Sequence, residues 1–266
     1  MAIRVYLDGM TRPKKKWGQN FLRNRGAVER IVAAVEPEPG ELIVEIGPGE
    51  GVLTEKLVSF GNEITAVEID PDLAANLSRL PITVVNEDAL EFPLPIRPWR
   101  AVGNLPYNVA TPIVRRVVAS EHWRRAVFML QKEVADRLVA KPGTEPYGFL
   151  TLFVQLYAKA RTLMTLDPGS FYPPPKVRSA VVVLEPDRKP FASEELVELI
   201  SAAFRMRRKT LVNNLVGWRG LSRGEAVALV GSDVRAEALT VAEFAELLSS
   251  FQGAHEHPRS IPGPRP

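Results

Sequence analysis

The chain has 266 residues, 45% of them hydrophobic and 24% charged, with a net charge of +3 and no cysteine. That length and composition fit a globular protein with one large domain and a small one, and they exclude a disulfide framework, a cysteine nucleophile and a thiolate metal site. No apolar run approaches the ~18 residues of a membrane span, and the N-terminal charges fall in the wrong order for a secretory signal, so a cytoplasmic address is expected.

Charge is unevenly distributed. Ten acidic residues and one basic residue, Lys56, lie between Glu36 and Asp72. Arg12 to Arg25 holds six basic residues and no acid, among them Lys14, Lys15 and Lys16, and Ala202 to Arg223 repeats that count. Such clusters are either solvated faces or a local footprint for a polyanion.

In chain order, ELIVEI (41–46), EITAVEI (63–69), ITVV (82–85), RAVGNL (100–105) and RAVFML (125–130) alternate with helical patterns. Apolar, β-branched runs separated in this way predict βαβ units and a mostly parallel sheet covered by helices. ARTLMTL and RSAVVVLEP flank the turn-rich GSFYPPPK with no long helical pattern between them, and predict an antiparallel pair closing the sheet. Beyond Pro186 the strand pattern ends. Helix starts at Ser193, at Ser222 with Glu225 and at Thr240 with Glu243 predict a small helical domain. The expected boundaries are a catalytic domain over 1–187, a helical domain over 188–252 and a disordered tail over 253–266.

The first strand of the parallel set runs into EIGPGEG, where Gly47, Gly49 and Gly51 permit a close ligand approach ahead of a helix expected over 52–59. Glu68 follows Gly47 by 21 residues, at the end of the next strand, where a carboxylate accepts hydrogen bonds from ribose hydroxyls. Val52 stands where a dinucleotide fingerprint has its last glycine, so the pattern indicates a nucleoside cofactor without a pyrophosphate. Asp70 precedes Pro71 and reads as a helix N-cap. Asp88, in NEDAL, is either a loop cap or an acceptor for an exocyclic adenine amine.

The stretch VGNLPYN ends the fourth parallel strand. Pro106 holds Leu105 extended and adds no competing N–H, so the Leu105 carbonyl has a fixed aim. With the Asn104 side-chain oxygen it can accept both hydrogens of an aromatic amine, while Tyr107 stacks on the ring. Two acceptors out of the amine plane favour a pyramidal nitrogen with an available lone pair.

GQNFL (18–22), EIGPGEG (45–51), VEID (67–70), EDAL (87–90), NLPYN (104–108), FYPPPKVRS (171–179) and FRMRRKTLVNNL (204–215) resemble the motif series of the small-subunit ribosomal RNA adenine dimethyltransferases. The resemblance spans nearly the whole chain. It implies a Rossmann-like class I methyltransferase domain followed by a small all-α domain, S-adenosylmethionine as cofactor, and no metal. It also implies dimethylation at N6 of two adjacent adenosines near the 3′ end of small-subunit rRNA, within a pre-30S particle, by a monomer that needs no membrane.

Residue by residue, the resemblance gives Asn20 and Leu22 to the cofactor, Gly47 to its methionine part, Glu68 to its ribose and Asp88 to its adenine amine. Asn104 lines the methyl-transfer site, Leu105 and Tyr107 form the target-adenine pocket, and Phe171 stacks on the other face of that base. Arg205, Arg208 and Lys209 are expected on one face of a basic helix toward rRNA phosphates, joined by Lys14, Lys15 and Lys16. A large-subunit RNA methyltransferase shares the glycine loop and adenine pocket, but FRMRRKTL favours the small-subunit enzyme. Intact Asn104, Tyr107 and Glu68 argue against a binding protein that has lost catalysis, and the glycine spacing argues against a nicotinamide oxidoreductase.

Overall fold

The computed structural model describes residues 13, 14, 17–206 and 208–256. Lys15, Lys16 and the tail from residue 257 onward lie outside the described residues. The chain forms two compact units, Met1–Val139 with Ala158–Asp187, and Ala140–Tyr157 with Arg188–Pro266.

The first unit carries strands β1 (Phe21–Leu22), β2 (Leu42–Ile46), β3 (Ile64–Val67), β4 (Thr83–Val85), β5 (Trp99–Asn104), β6 (Trp123–Gln131), β7 (Ala158–Leu166), β8 (Phe171–Tyr172) and β9 (Ser179–Pro186). Between them lie helices α1 (Arg25–Val35), α2 (Thr54–Leu57), α3 (Pro71–Leu77), α4 (Ala110–Ala119) and α5 (Lys132–Leu138). The seven-stranded sheet has the order β4-β3-β2-β5-β6-β9-β7. Strands β4, β3, β2, β5 and β6 are parallel, and β9 joins β6 and β7 antiparallel. All five residues of β2 are buried, which is why LIVEI shows no alternation. The helix expected over 52–59 is only the four residues of α2 and a following 3-10 turn over Val58–Phe60.

After β2 the chain builds outward through β3 and β4, then returns to place β5 on the other flank of β2. This reversal opens a crevice at the carboxyl ends of β2 and β5, the place where ligands bind in open α/β sheets. EIGPGEG leaves β2 at that rim and NLPY leaves β5 beside it. The opposite rim is closed by a buried ion pair between Glu41 and Arg100, whose guanidinium also donates to the Val35 carbonyl at 2.9 Å.

The second unit holds α6 (Phe149–Tyr157), α7 (Glu194–Ala203), α8 (Leu211–Leu215), α9 (Arg223–Val230) and α10 (Val241–Glu256). Ser193 caps α7, and Ser222 with Glu225 forms a capping box on α9. Thr240 and Glu243 exchange the same pair of bonds at the start of α10. Three expectations need correction. Residues 140–157 belong with this unit, because Tyr147, Leu152 and Leu156 are buried in its core with Leu199 and Phe244. Residues 253–256, assigned to a disordered tail, continue α10.

The third correction concerns the expected basic helix, which is a turn. The helix before it ends at Ala203, and the Asn214 side chain, 1% exposed, accepts from the Met206 N–H at 3.0 Å and donates to the Met206 carbonyl at 3.2 Å. A side chain that satisfies the backbone in this way displaces the helical ladder. Arg205, Arg208 and Lys209 are therefore exposed turn residues, while Leu211 and Leu215 pack inward.

One glycine sets how closely the two site-bearing strands approach. A Cβ on Gly103 would lie 2.2 Å from the Ile46 carbonyl oxygen, inside any tolerable contact with a backbone that cannot swing away. Gly103→Ala is predicted to push β5 from β2 and to destabilise the protein by ~1–3 kcal/mol or more, as overpacking does. Urea denaturation checks this, and a variant within ~0.5 kcal/mol of wild type, the range of neutral surface changes, would remove the constraint.

Candidate active site

The glycine loop turns away from β2 and is held by one carboxylate. Gly49 has φ +60°, and a Cβ there would lie 3.2 Å from the Phe21 ring, so the position suits glycine both in conformation and in space. Its N–H donates to Glu68 Oε2 at 3.0 Å, and the Asp70 N–H donates to Glu68 Oε1 at 2.9 Å. The Asn86 amide donates to the Glu68 main-chain carbonyl at 2.7 Å. Glu68 is 5% exposed, and burial pushes its carboxyl above the ordinary range against the pull of these N–H donors.

Asp70 caps α3 as expected, accepting from the Asp72 N–H at 3.1 Å. It also ties down the N-terminal segment. Lys14 Nζ lies 2.6 Å from Asp70 Oδ1 and 2.6 Å from Asp72 Oδ2, and Gln19 Nε2 donates to Asp70 Oδ2 at 2.9 Å. Burial alone raises the Asp70 carboxyl, but the bonds from Lys14 and Gln19 together bring it below its usual value. Lys14, expected in an RNA footprint, is instead occupied by two carboxylates.

Beyond that clasp the segment runs past the site as GQNFL. Its β1 residues pair antiparallel with β8, Phe21 opposite Tyr172 and Leu22 opposite Phe171. The Asn104 Nδ2 donates to the Asn20 carbonyl at 2.8 Å, which orients the amide and leaves Oδ1 as an acceptor. The Leu105 N–H is held by the Met129 carbonyl at 2.9 Å. Tyr107 shares a 2.7 Å hydrogen bond with the Ser179 hydroxyl at the start of β9. Burial raises the Tyr107 phenol above its usual value, and the Ser179 bond opposes the rise, so it stays neutral. Asp88 caps its loop, with Oδ1 accepting from the Leu90 N–H at 2.9 Å, and lines the cavity.

That cavity has a volume of about 230 Å³. Asn20, Leu22, Gly47, Glu68, Asp88, Asn104, Leu105 and Tyr107 all line it, so residues chosen from motifs far apart in sequence meet at one place. Phe171 does not line it. Phe171 is 4% exposed, pairs with Leu22 of β1, and belongs to the core cluster of Leu22, Val28 and Ile31. Phe171 is thus the one residue expected at the target base that the structure does not bring to this cavity. Ser179 is the residue that sequence reasoning missed: it closes the quoted FYPPPKVRS motif, but its bond to Tyr107 spans 72 positions.

Below the glycine loop lies an unusual group. Glu45, on β2, is 0% exposed, and neither of its carboxyl oxygens makes a hydrogen bond; nor does the nearby Thr54 hydroxyl. Burial pushes the Glu45 carboxyl up to about 7. The Thr54 hydroxyl is near enough to oppose the rise without closing a hydrogen bond, and the Glu68 charge adds to it.

The model of the family "Ribosomal RNA adenine dimethylase" matches residues 10–252. The chain belongs to that family. Among curated proteins, Ribosomal RNA small subunit methyltransferase A of Acidithiobacillus ferrooxidans is 44% identical over 223 residues, 79% of this chain and 84% of that protein. The protein of the same description from Hahella chejuensis is 40% identical over 262 residues, 92% and 94% of the two chains.

Among solved structures, a dimethyladenosine transferase from Plasmodium falciparum has the same fold, with a TM-score of 0.77 at 24% identity over 88% of this chain and 98% of that one. The 23S rRNA methyltransferase ErmE gives a TM-score of 0.66 at 28% identity over 86% and 100%. As a member of the dimethylase family, the chain is an S-adenosylmethionine-dependent rRNA adenine dimethyltransferase.

The cavity fits that cofactor. Carboxylates offer about four lone-pair sites, and Glu68 uses two on backbone N–H groups, leaving acceptors for ribose hydroxyls. Asp88 Oδ2 remains for an adenine amine. Glu50, Glu68, Glu87 and Asp88 line the wall, and no lysine, arginine or histidine does among the described residues, which suits a cationic ligand.

Proposed function

We propose that this enzyme dimethylates N6 of two adjacent adenosines near the 3′ end of small-subunit rRNA, acting as a monomer on a pre-30S particle in the cytoplasm. The observation that carries the reading is the Asn104 amide. Its nitrogen is committed to the Asn20 carbonyl at 2.8 Å, which leaves its oxygen as an acceptor at a cavity that Leu105 and Tyr107 also line. The choice of small-subunit over large-subunit rRNA is supported by 40% and 44% identity to small-subunit methyltransferases, against 28% to ErmE.

When bound, S-adenosylmethionine supplies an electrophilic methyl group on a sulfonium. The chain's own residues prepare the nucleophile. The target adenine leaves its stack and lies against Tyr107, whose ring is steadied by Ser179. Asn104 Oδ1 and the Leu105 carbonyl accept the two amine hydrogens out of the ring plane. This withdraws the nitrogen lone pair from conjugation and stabilises the transition state. Positioning for in-line approach supplies much of the rate. The methylated nitrogen is acidic enough to release its proton to water, so no side chain has to act as a strong base.

The direct test combines labelled S-adenosylmethionine with undermethylated small subunits, followed by mapping of the labelled bases. Wild type is expected to modify two neighbouring adenines, and Asn104→Ala to lose ~10²–10³ in single-turnover rate, the effect of removing one preorganised dipole. Label on any other base would refute the substrate, and a variant within threefold of wild type would refute the Asn104 role.

Arg205, Arg208 and Lys209, exposed in the turn before α8, are proposed to contact rRNA phosphates with Lys15 and Lys16. Replacing the three turn cations together is predicted to flatten the salt dependence of particle binding by up to ~3 units of slope while leaving cofactor affinity unchanged. Parallel salt titrations of wild type and variant would place the footprint elsewhere.

A further inference from the structure

We propose that Glu45, beneath the glycine loop and outside the cavity wall, is a specificity-determining residue that makes the site favour the sulfonium cofactor over the neutral thioether left by methyl transfer. The inference rests on the cofactor assignment above and adds to it a reason for product to leave.

The first observation is geometric. Glu45 stands on β2 in register with Ala66 of β3 and Val102 of β5, two residues before Gly47, which lines the cavity. Its two carboxyl oxygens and the Thr54 hydroxyl are fully buried and without hydrogen bonds. Buried polar atoms left unpaired are rare and unfavourable, and a structure that keeps three together calls for an explanation. The surroundings supply no compensating charge. Its neighbours in the sheet are the apolar Ala66 and Val102, from α2 comes the Thr54 hydroxyl, and from the end of β3 the carboxylate of Glu68. No basic side chain among the described residues acts on it.

The second observation is the wall itself, with four acidic residues and no basic one among the described residues. Arg23 neutralises Glu50 at 2.7 Å from outside, so the field left in the cavity comes from Glu68, Glu87 and Asp88, with Glu45 behind them. Methyl transfer changes the ligand by one methyl group and one positive charge, leaving a thioether where the sulfonium was. Size discriminates weakly between two such ligands, and charge discriminates strongly in a partly buried site.

Burial holds the Glu45 carboxyl at about 7, where an added positive charge shifts its ionisation most. A bound sulfonium draws the proton off and gains an attractive charge, whereas the thioether leaves the ionisation of the carboxyl unchanged. Each round of methylation therefore ends with a ligand that the site holds less firmly, which favours exchange for fresh cofactor. A water bridging Glu45 and Thr54 is the competing explanation for the orphaned atoms, and it predicts no such discrimination.

Calorimetric titration of the full chain with S-adenosylmethionine and with S-adenosylhomocysteine decides between them, run in two buffers of different ionisation heat so that protons are counted. Between about pH 6 and pH 8 the preference of wild type for the sulfonium should rise about fivefold, most of the tenfold that roughly one pKa unit of coupling gives over the whole titration. Near pH 6.5, where the amino group common to both ligands stays protonated with its pKa of ~7.7–8.0, the sulfonium should release part of a proton and the thioether none.

Glu45→Gln should flatten the pH dependence and abolish the release. The substitution is compatible with folding. A carboxyl raised in the folded state from 4.5 to about 7 stabilises fully at low pH and loses that contribution as pH rises through 7, so its removal relieves the protein at neutral and alkaline pH. A wild type with a pH-independent preference and equal proton counts overturns the proposal without any variant, as does a Glu45→Gln protein that titrates like wild type. Failure of wild type to bind either ligand would instead overturn the cofactor assignment.

Discussion

The Glu68 carboxylate holds the site together. One oxygen takes the Gly49 N–H and so fixes the glycine loop, and the other takes the Asp70 N–H and so fixes the start of α3. Asp70, thus placed, receives Lys14 and Gln19 and anchors the N-terminal segment. That segment presents the Asn20 carbonyl to Asn104. Remove the first bond and the later ones lose their reference point. A carboxylate receiving several backbone N–H groups is well suited to this, because charge-assisted bonds are short and strong and their geometry is set by the main chain.

The same carboxylate explains how the sheet becomes a site. Reversal of strand order leaves a crevice between β2 and β5 in any such fold, and the close approach of Gly103 to Ile46 narrows it here. The crevice alone is only a place. The chemistry comes from loops that leave its rim and are locked by side chains reaching across it, with Glu68 on one flank and the Tyr107–Ser179 bond on the other. Acidic groups line the first flank, and the neutral dipoles of Asn104, Tyr107 and Ser179 the second, an arrangement that suits the proposed cationic cofactor and adenine amine.

Much of this was legible in the sequence because the signals are local. Apolar runs mark strands, Asp70 before Pro71 marks a helix start, and the glycine alternation after ELIVEI marks a ligand loop. Glu68, Asp88 and Asn104 could be placed on one rim because parallel strands put all their carboxyl ends on the same side of the sheet.

What could not be read depends on contacts between distant positions. The Tyr107–Ser179 bond spans 72 positions and the Lys14–Asp70 pair 56, and no local pattern encodes either. Phe171 was expected to stack because FYPPPKVRS resembles a family motif, yet its residue pairs antiparallel with Leu22 and packs in the core. The FRMRRK stretch has plausible helical spacing, but the buried Asn214 amide takes both polar groups of Met206 and holds a turn. Residues 140–157 followed the sheet in sequence order and joined the helical unit because FLTLFVQLY is apolar on nearly every side.

The central claim, that one carboxylate organises the site, is tested most directly by amide hydrogen exchange on wild type and Glu68→Gln. A neutral glutamine keeps the shape but offers one strong acceptor in place of two. The account predicts that the Gly49 and Asp70 amides exchange ~10-fold faster or more in the variant, the loss expected for charged hydrogen bonds, with the Ile43 amide in the middle of β2 unchanged. Equal protection of Gly49 and Asp70 in both proteins would contradict it and show that the loops hold their places without Glu68.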